Sequence, residues 1–470
     1  MSDPLMASPS PSPVVPTRLP RATKVHFGLG FVGCNLMVIG LENLIFPVFS
    51  LYLGLSPALI GLALIVPRIW DGMVDLFIGR FSDNLRSRWG RRRPLIVVGA
   101  MATGLTFGLI WMVPEGLSQT GMTIWLIATL MLFWTTQGIF YVPLEALGMT
   151  LTSDYHERTT LMAYRSLFAK MGQLASAWCF WLVESGYFGT DHAGAINVGW
   201  LWAGLIVIFG VWPGLMLRDP NPQAPAVATM PVSLWRSLKS IVRRPVFRRL
   251  SGYLIFASGS MSISSGIHFY TNLHYVAGGD TELAARLLGV GTTLNIVSGI
   301  IVLPIVGWSS RRIGKHRTAQ LAVSATGVGS LLSWWLFTPT NPWLSLGITP
   351  FIGMGIVAVY QLYFALLADA AEQAALESGR PSEGLFSATT NCLAKLGQAA
   401  ALATGGALLG WIGIEGRDFT PSSTQMEGLR IMRALLPTAL SVGAVFCLRN
   451  YPLTQENLEE LRQKHDAPTG

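Results

Sequence analysis

Polar positions along the chain fall in short clusters, separated by apolar runs that match no amphipathic soluble helix. The stretches 95–114, 201–217, 283–307 and 343–367 each hold nearly twenty or more residues with few or no charges. About 20 predominantly apolar residues in a helix cross roughly 30 Å of hydrocarbon. The pattern therefore predicts an all-α membrane protein with spans at 26–52, 58–81, 95–114, 121–149, 161–184, 198–217, 250–276, 283–307, 318–338, 343–367, 384–412 and 431–449. Twelve transmembrane helices place both termini on one side.

One long interior connection, 218–249, splits these spans into two six-helix halves at 26–217 and 250–449. A Pro/Ser-rich tail at 1–25 reads as disordered, and a short polar tail occupies 450–470. The halves resemble each other. GRFSDNLRSRWGRRRP, from Gly79, follows the second span, and GWSSRRIGKHR, from Gly307, follows the eighth. FAKMGQLASA around Lys170 is echoed by LAKLGQAAAL around Lys395, at nearly the same offset. Such a repeat predicts two pseudo-symmetric halves with a binding site between them at the membrane midplane.

Composition agrees: 12% of residues are charged and 51% hydrophobic, against about a quarter charged in soluble domains. A net charge of +8 would suggest nucleic acid in a soluble protein, but its placement excludes that partner. Basic residues crowd the loops at 86–93 and 311–317 and the linker, whereas alternate loops near Glu115, Asp191, Asp280 and 415–418 are acidic or neutral. This positive-inside asymmetry puts both termini and the linker in the cytoplasm. The four cysteines lie in predicted spans without disulfide or metal-ligand spacing. No nucleophile–base pair or metal motif appears, so an enzyme and a resident cofactor are not expected.

Ionisable side chains within spans carry the chemistry, because each costs about 2.5–3.5 kcal/mol at the bilayer centre. In RIWDGMVDLFIGRFSD, Arg68, Asp71 and Asp75 share one helical face. Two carboxylates one turn apart repel unless a sodium ion, a proton or a cationic side chain joins them. Lys395, on the eleventh span, is a candidate partner from the other half; the alternative is an internal Arg68–Asp71 pair that serves packing alone. Glu42 and Asn35 on the first span, Glu145 and Gln137 on the fourth, Arg165 and Lys170 on the fifth, and His268 and His274 on the seventh are weaker candidates. Tyr360, Gln361 and Tyr363 are candidates to line a cavity. The arginines of RSRWGRRRP beside Asp83 suggest salt bridges holding the cytoplasmic ends in one conformation, which makes Arg68, Asp83, Arg91 and Arg92 the expected gating residues.

WDGMVDLFIGRFSDNLRSRWGRRRP, DYHERTTLMAYRSLFAKMGQL and EGLFSATTNCLAKLGQ resemble the glycoside–pentoside–hexuronide:cation symporters, melibiose-permease-like members of the major facilitator superfamily. The resemblance spans essentially the whole transmembrane chain. It implies a major-facilitator-type fold, a cation site at Asp71 and Asp75 with Lys395 close by, and Arg165 shaping a sugar site. Where the melibiose permeases offer aspartates on the first and fourth helices, this chain has Asn35 and Phe140, and a cation-ligating threonine becomes Gln137.

The expected function is thus symport of a sugar or glycoside with Na⁺ or H⁺ by alternating access. Asp71, Asp75, Gln137 and Lys395 would form the cation site, with Asp71 and Asp75 the metal ligands if the ion is sodium. Asn35, Glu42, Glu145, Arg165, Tyr360 and Gln361 would form the solute wall. The expected setting is a monomer in a bacterial inner membrane. A lysolipid or other amphipathic solute is the alternative, favoured by the missing aspartates; a non-transporting sensor is the third reading.

Overall fold

The computed structural model describes residues 18–85, 87–152, 154–218, 244–378, 383–414, 421–453 and 457. Within them the chain runs through twelve helical rods. They are α1 (Arg21–Phe46), which continues as a π-helical stretch Pro47–Tyr52; α2 (Pro57–Ala63) with α3 (Ile65–Asn84); α4 (Arg93–Ile110); α5 (Gln119–Thr150); α6 (Tyr155–Ser176) with α7 (Cys179–Glu184); and α8 (Asp191–Met216). After the linker come α9 (Pro245–Tyr270), prolonged by the π-helical Thr271–Val276; α10 (Thr281–Ile313); α11 (Lys315–Leu336); a 3-10 turn (Pro342–Ile348) leading into α12 (Thr349–Ser378); α13 (Glu383–Ile412); and α14 (Ser423–Cys447).

The helices outrun the apolar patterns that predict them. α1 starts at Arg21, inside the expected tail, α9 at Pro245, inside the expected linker, and α14 at Ser423 rather than 431. Hydropathy senses only the hydrocarbon-depth part of a helix, whereas the backbone ladder continues through polar turns to a cap. Those caps are visible. Asp154 accepts from Glu157 N–H at 2.8 Å, Asp280 from Leu283 N–H at 2.9 Å, and Ser422 and Gln425 close a reciprocal box at the head of α14. Each such cap is worth about 1 kcal/mol.

Among the described residues seven stretches are long and apolar enough to cross a membrane: Arg21–Tyr52, Arg93–Ile110, Gln119–Thr150, Asp191–Met216, Thr281–Ile313, Pro342–Ala374 and Ser423–Cys447. The rods that fall short, including α3, α6 and α13, are those holding the charged and hydroxylated residues of interest.

Helices before the linker pack among themselves, α1 on α6 and α8, α4 on α5 and α8; those after it do likewise, α9 on α13 and α14, α11 on α12 and α14. The groups meet where α13 lies on α2 and α3 and where α10 lies on α6 and α7. Among the described residues, the side of the bundle remote from the termini, called the far side below, is the more tightly joined. There Phe46 packs edge-on to Tyr270 at 6.2 Å and Phe180 to Phe269 at 5.8 Å. A Cβ on Gly61 would stand 2.7 Å from Gly406 Cα, so α2 and α13 touch backbone to backbone. Glu184, at the end of α7, accepts from Tyr52 of the first group and from Thr281 of the second, and so ties α10 to α7.

Candidate functional site

The central ionic cluster joins the two groups of helices. Lys395 Nζ lies 2.8 Å from Asp71 Oδ2 and 2.7 Å from Asp75 Oδ2. The helical repeat dictates this: Asp71 and Asp75 are stacked one turn apart on α3, and α13 presents a single lysine between them. Asp71 is buried, at 3% side-chain exposure, while Asp75 and Lys395 are half-buried. Asp75 Oδ1 faces Gly138 of α5 and is buried without a hydrogen-bond partner among the described residues. With one lysine and two carboxylates, one negative charge is left over, and an unfilled acceptor faces it. The residues fit a monovalent cation.

Arg68 does not pair with Asp71. It reaches Glu42 on α1 at 3.3 Å and lies over the Trp134 ring at 4.4 Å, which sets aside the internal pair as the reason for the charges on this face. Both residues line a cavity of about 460 Å³ between the two groups. The other polar wall groups are Lys170 and Gln173 of α6, Ser262 of α9, Thr292 and Asn295 of α10, Tyr360 of α12 and Gln398 of α13; Ile45, Phe46 and Ile356 are among the apolar ones. Cavity and ionic cluster are one turn apart along both helices, Arg68 to Asp71 on α3 and Gln398 to Lys395 on α13. Given the chain direction, the cavity lies on the far side of the cluster.

Of the remaining expected residues, Asn35 takes a hydrogen bond from Gln173 at 3.0 Å, and Gln173 takes one from Lys170 at 2.9 Å, so Asn35 supports the wall from behind. Glu145 and Arg165 pair at 2.9 Å, with Arg165 stacked over Phe31 at 4.6 Å, outside the cavity lining. Gln137 is buried on α5 next to Gly138, and none of the hydrogen bonds among the described residues links it to the acidic pair. Gln361 is exposed and Tyr363 is packed in the core of the second group; neither lines the cavity. Phe140, where the resemblance would place a sugar-binding aspartate, is fully buried against Gly99 and Gly210. Arg92 binds Ala146 O and Thr150 Oγ1, both at 2.8 Å, while Arg93 binds the C-terminal carbonyls Gly214 O and Leu215 O of α8 at 2.9 and 2.8 Å. Arg91 is half-buried in the same loop, and the side chain of Asp83 lies outside the described residues.

Gln173, Gln398 and Trp134 line the cavity beyond the residues expected from the sequence. A signal for the glutamines stood in the repeat itself: KMGQ and KLGQ place Gln173 and Gln398 at equivalent positions of the two halves, and both reach the same cavity. The lysines of the two motifs diverge, Lys170 staying on the cavity wall and Lys395 reaching the carboxylates.

A family model described as MFS/sugar transport protein matches residues 26–455. The chain belongs to this family. Members of the MFS/sugar transport protein family are transporters rather than enzymes, and this chain is a multi-pass integral membrane protein of the major-facilitator fold. It is similar to the glucuronide carrier protein homolog of Escherichia coli (strain K12), 26% identical over 444 residues, covering 93% of this chain and 94% of the relative. It is also similar to the sodium-dependent lysophosphatidylcholine symporter 1 of Gallus gallus, 22% identical over 454 residues, covering 88% and 84%. Among solved structures, a proton-dependent oligopeptide transporter shares the fold at a TM-score of 0.66 and 12% identity, covering 95% of this chain and 100% of that one. The internal repeat and the two-group packing are those expected of such a carrier.

Proposed function

We propose that this protein is a secondary transporter that couples entry of a sugar or glycoside to Na⁺ or H⁺ moving in the same direction. The observation that carries the reading is the bridge from Lys395 to both Asp71 and Asp75, which ties the halves together through charges a cation can replace. In the cation-free state the lysine holds α13 to α3. A cation seated between the carboxylates competes for the same oxygens, weakens that tie and leaves the halves free to rock. Solute binds in the adjacent cavity, where Glu42, Arg68, Gln173 and Gln398 offer hydrogen bonds and Trp134 and Tyr360 offer flat apolar faces of the kind that recognise a sugar ring. The relative named as a glucuronide carrier supports a glycoside. The positive-inside loops support cytoplasmic termini, and the relative from Escherichia coli supports a bacterial inner membrane. Each chain contains a whole cavity, which supports a transporting monomer.

A second reading keeps the coupling and changes the solute to a lysolipid. It is favoured by the relative named as a lysophosphatidylcholine symporter and by the largely apolar cavity wall. The deciding experiment is flux in proteoliposomes under an imposed sodium or proton gradient, with glycosides, glucuronides and lysolipids added in turn. Glycoside-evoked entry of one cation establishes the first reading and names the ion. A response to lysolipid alone establishes the second, and silence to all of them overturns both.

A further inference from the structure

The second group of helices contains a buried cationic cluster unconnected with the cavity. Arg433 of α14 is 2% exposed, and its Nε and Nη1 are buried with no hydrogen-bond partner among the described residues. Its guanidinium lies 5.6 Å from the ring of Phe337, which also packs against His268 of α9 at 5.7 Å. Asn272 Nδ2 donates to His268 Nε2 at 3.2 Å, so in the neutral ring Nδ1 carries the hydrogen; that nitrogen and the acceptor Asn272 Oδ1 are both buried without a hydrogen-bond partner among the described residues. One turn before Arg433 on α14 stands Arg430, stacked between Tyr275 and Trp334, with one N–H given to Trp334 O at 3.0 Å and its buried Nε unpaired. No carboxylate forms a salt bridge with either arginine among the described residues.

All these orphaned nitrogens are donors, and both permanent charges are positive. A buried N–H without an acceptor costs about 1–3 kcal/mol, and more on a charged group. Two guanidiniums one turn apart also repel each other. The carbonyl end of α11, where Trp334 and Phe337 lie, offers only about half a negative charge, and Arg430 already takes one of its carbonyls. The contrast with the ionic cluster is direct: there two like charges on one helix face are joined by Lys395, whereas here no joining charge stands among the described residues.

We infer that Arg433, with Arg430 and His268, holds a small inorganic anion, of the size and charge of chloride, inside the second half. Size follows from enclosure: Arg433 is almost wholly buried and does not line the solute cavity, so a sugar carboxylate has no place there. The anion is a resident of the fold that neutralises the junction of α9, α11 and α14, and the solute never meets it. This reading stands whether or not the proposed symport is correct.

The test uses purified full-length protein in detergent, melted in sodium chloride, sodium bromide and sodium gluconate at equal ionic strength. Chloride and bromide should raise the melting midpoint by about 2–4 °C relative to gluconate, saturating with concentration. In Arg433→Met that difference should vanish. Crystals grown in bromide should give anomalous density within hydrogen-bonding distance of Arg433. Equal melting in all three salts overturns the inference, as does a halide effect that survives Arg433→Met. Should Arg433→Met fail to fold, the bromide map decides: density beside Arg433 upholds the site, and water alone there removes it.

Discussion

Arg68 and Glu42 pair across the cavity wall at 3.3 Å, although Asp71 sits one turn from Arg68 on the same face of the same helix. The arginine is thereby committed to the solute chamber, and the carboxylates below it are left to Lys395. Under the proposed function, recognition and coupling would occupy neighbouring turns of one helix without sharing a side chain.

Replacing Arg68 by lysine keeps the charge but loses the planar stack on Trp134 and the fork that reaches Glu42. Lysine also cannot present a planar fork to the solute in the cavity, and losing one charged hydrogen bond to it is worth about 1.5–3 kcal/mol, or roughly 10- to 150-fold in affinity. Uptake kinetics should show KM for the solute rising by that factor while the final accumulation ratio is unchanged. A fall in the ratio with constant KM would place Arg68 in coupling instead.

Asp75→Asn removes the surplus negative charge and leaves Lys395 paired with Asp71 alone. With no site left for the driving ion, the accumulation ratio should fall to about one, since an uncoupled carrier only equilibrates its solute. Exchange of labelled for unlabelled solute should persist. Concentrative uptake at the normal level would remove Asp75 from the coupling site.

Lys395→Met leaves Asp71 and Asp75 facing each other without compensation. Stranding a buried charge in this way costs about 3–5 kcal/mol. Thermal melting should therefore drop in buffer lacking the coupling ion and recover as that ion is added, a dependence much larger than in the unaltered protein. An unchanged melting curve would show that the lysine compensates nothing.

Glu184→Gln replaces a carboxylate that accepts from both Tyr52 and Thr281, and so loosens the tie between α7 and α10. Hydrogen bonds to a charged group contribute about 1.5–3 kcal/mol, so the far side should open roughly tenfold or more often. The readout is labelling of Thr292→Cys, on the cavity wall, by an impermeant thiol reagent in a background without the native cysteines. Equal labelling rates with and without Glu184→Gln would mean the tie does not hold the far side shut.

Much of the site was legible because membrane burial makes a charged residue conspicuous. That cost marks Asp71, Asp75 and Lys395 together with the other ionisable residues of the spans; the one-turn spacing of two carboxylates singles out the pair, and the repeat points to Lys395 in the other half. What could not be read is where a side chain points once its helix is rotated against neighbours. Gln361 and Tyr360 are adjacent, yet one faces outward and the other the cavity. Arg68 had Asp71 in reach along its own helix, and only the approach of α1 shows why it turns to Glu42. Helix ends were misjudged for another reason: polar caps such as Asp280 and Ser422 extend the ladder past the apolar run that signals it.

The lysine bridge has an electrical consequence. With Lys395 in place the empty site carries one negative charge and the loaded site, with a neutral solute, none, so under this mechanism the return of the empty carrier moves the charge, outward and downhill in an inside-negative membrane. One elementary charge crossing 100 mV is worth about 2.3 kcal/mol. Without the lysine the empty carrier would move two charges, and membrane voltage would weigh twice as heavily on the step that resets it.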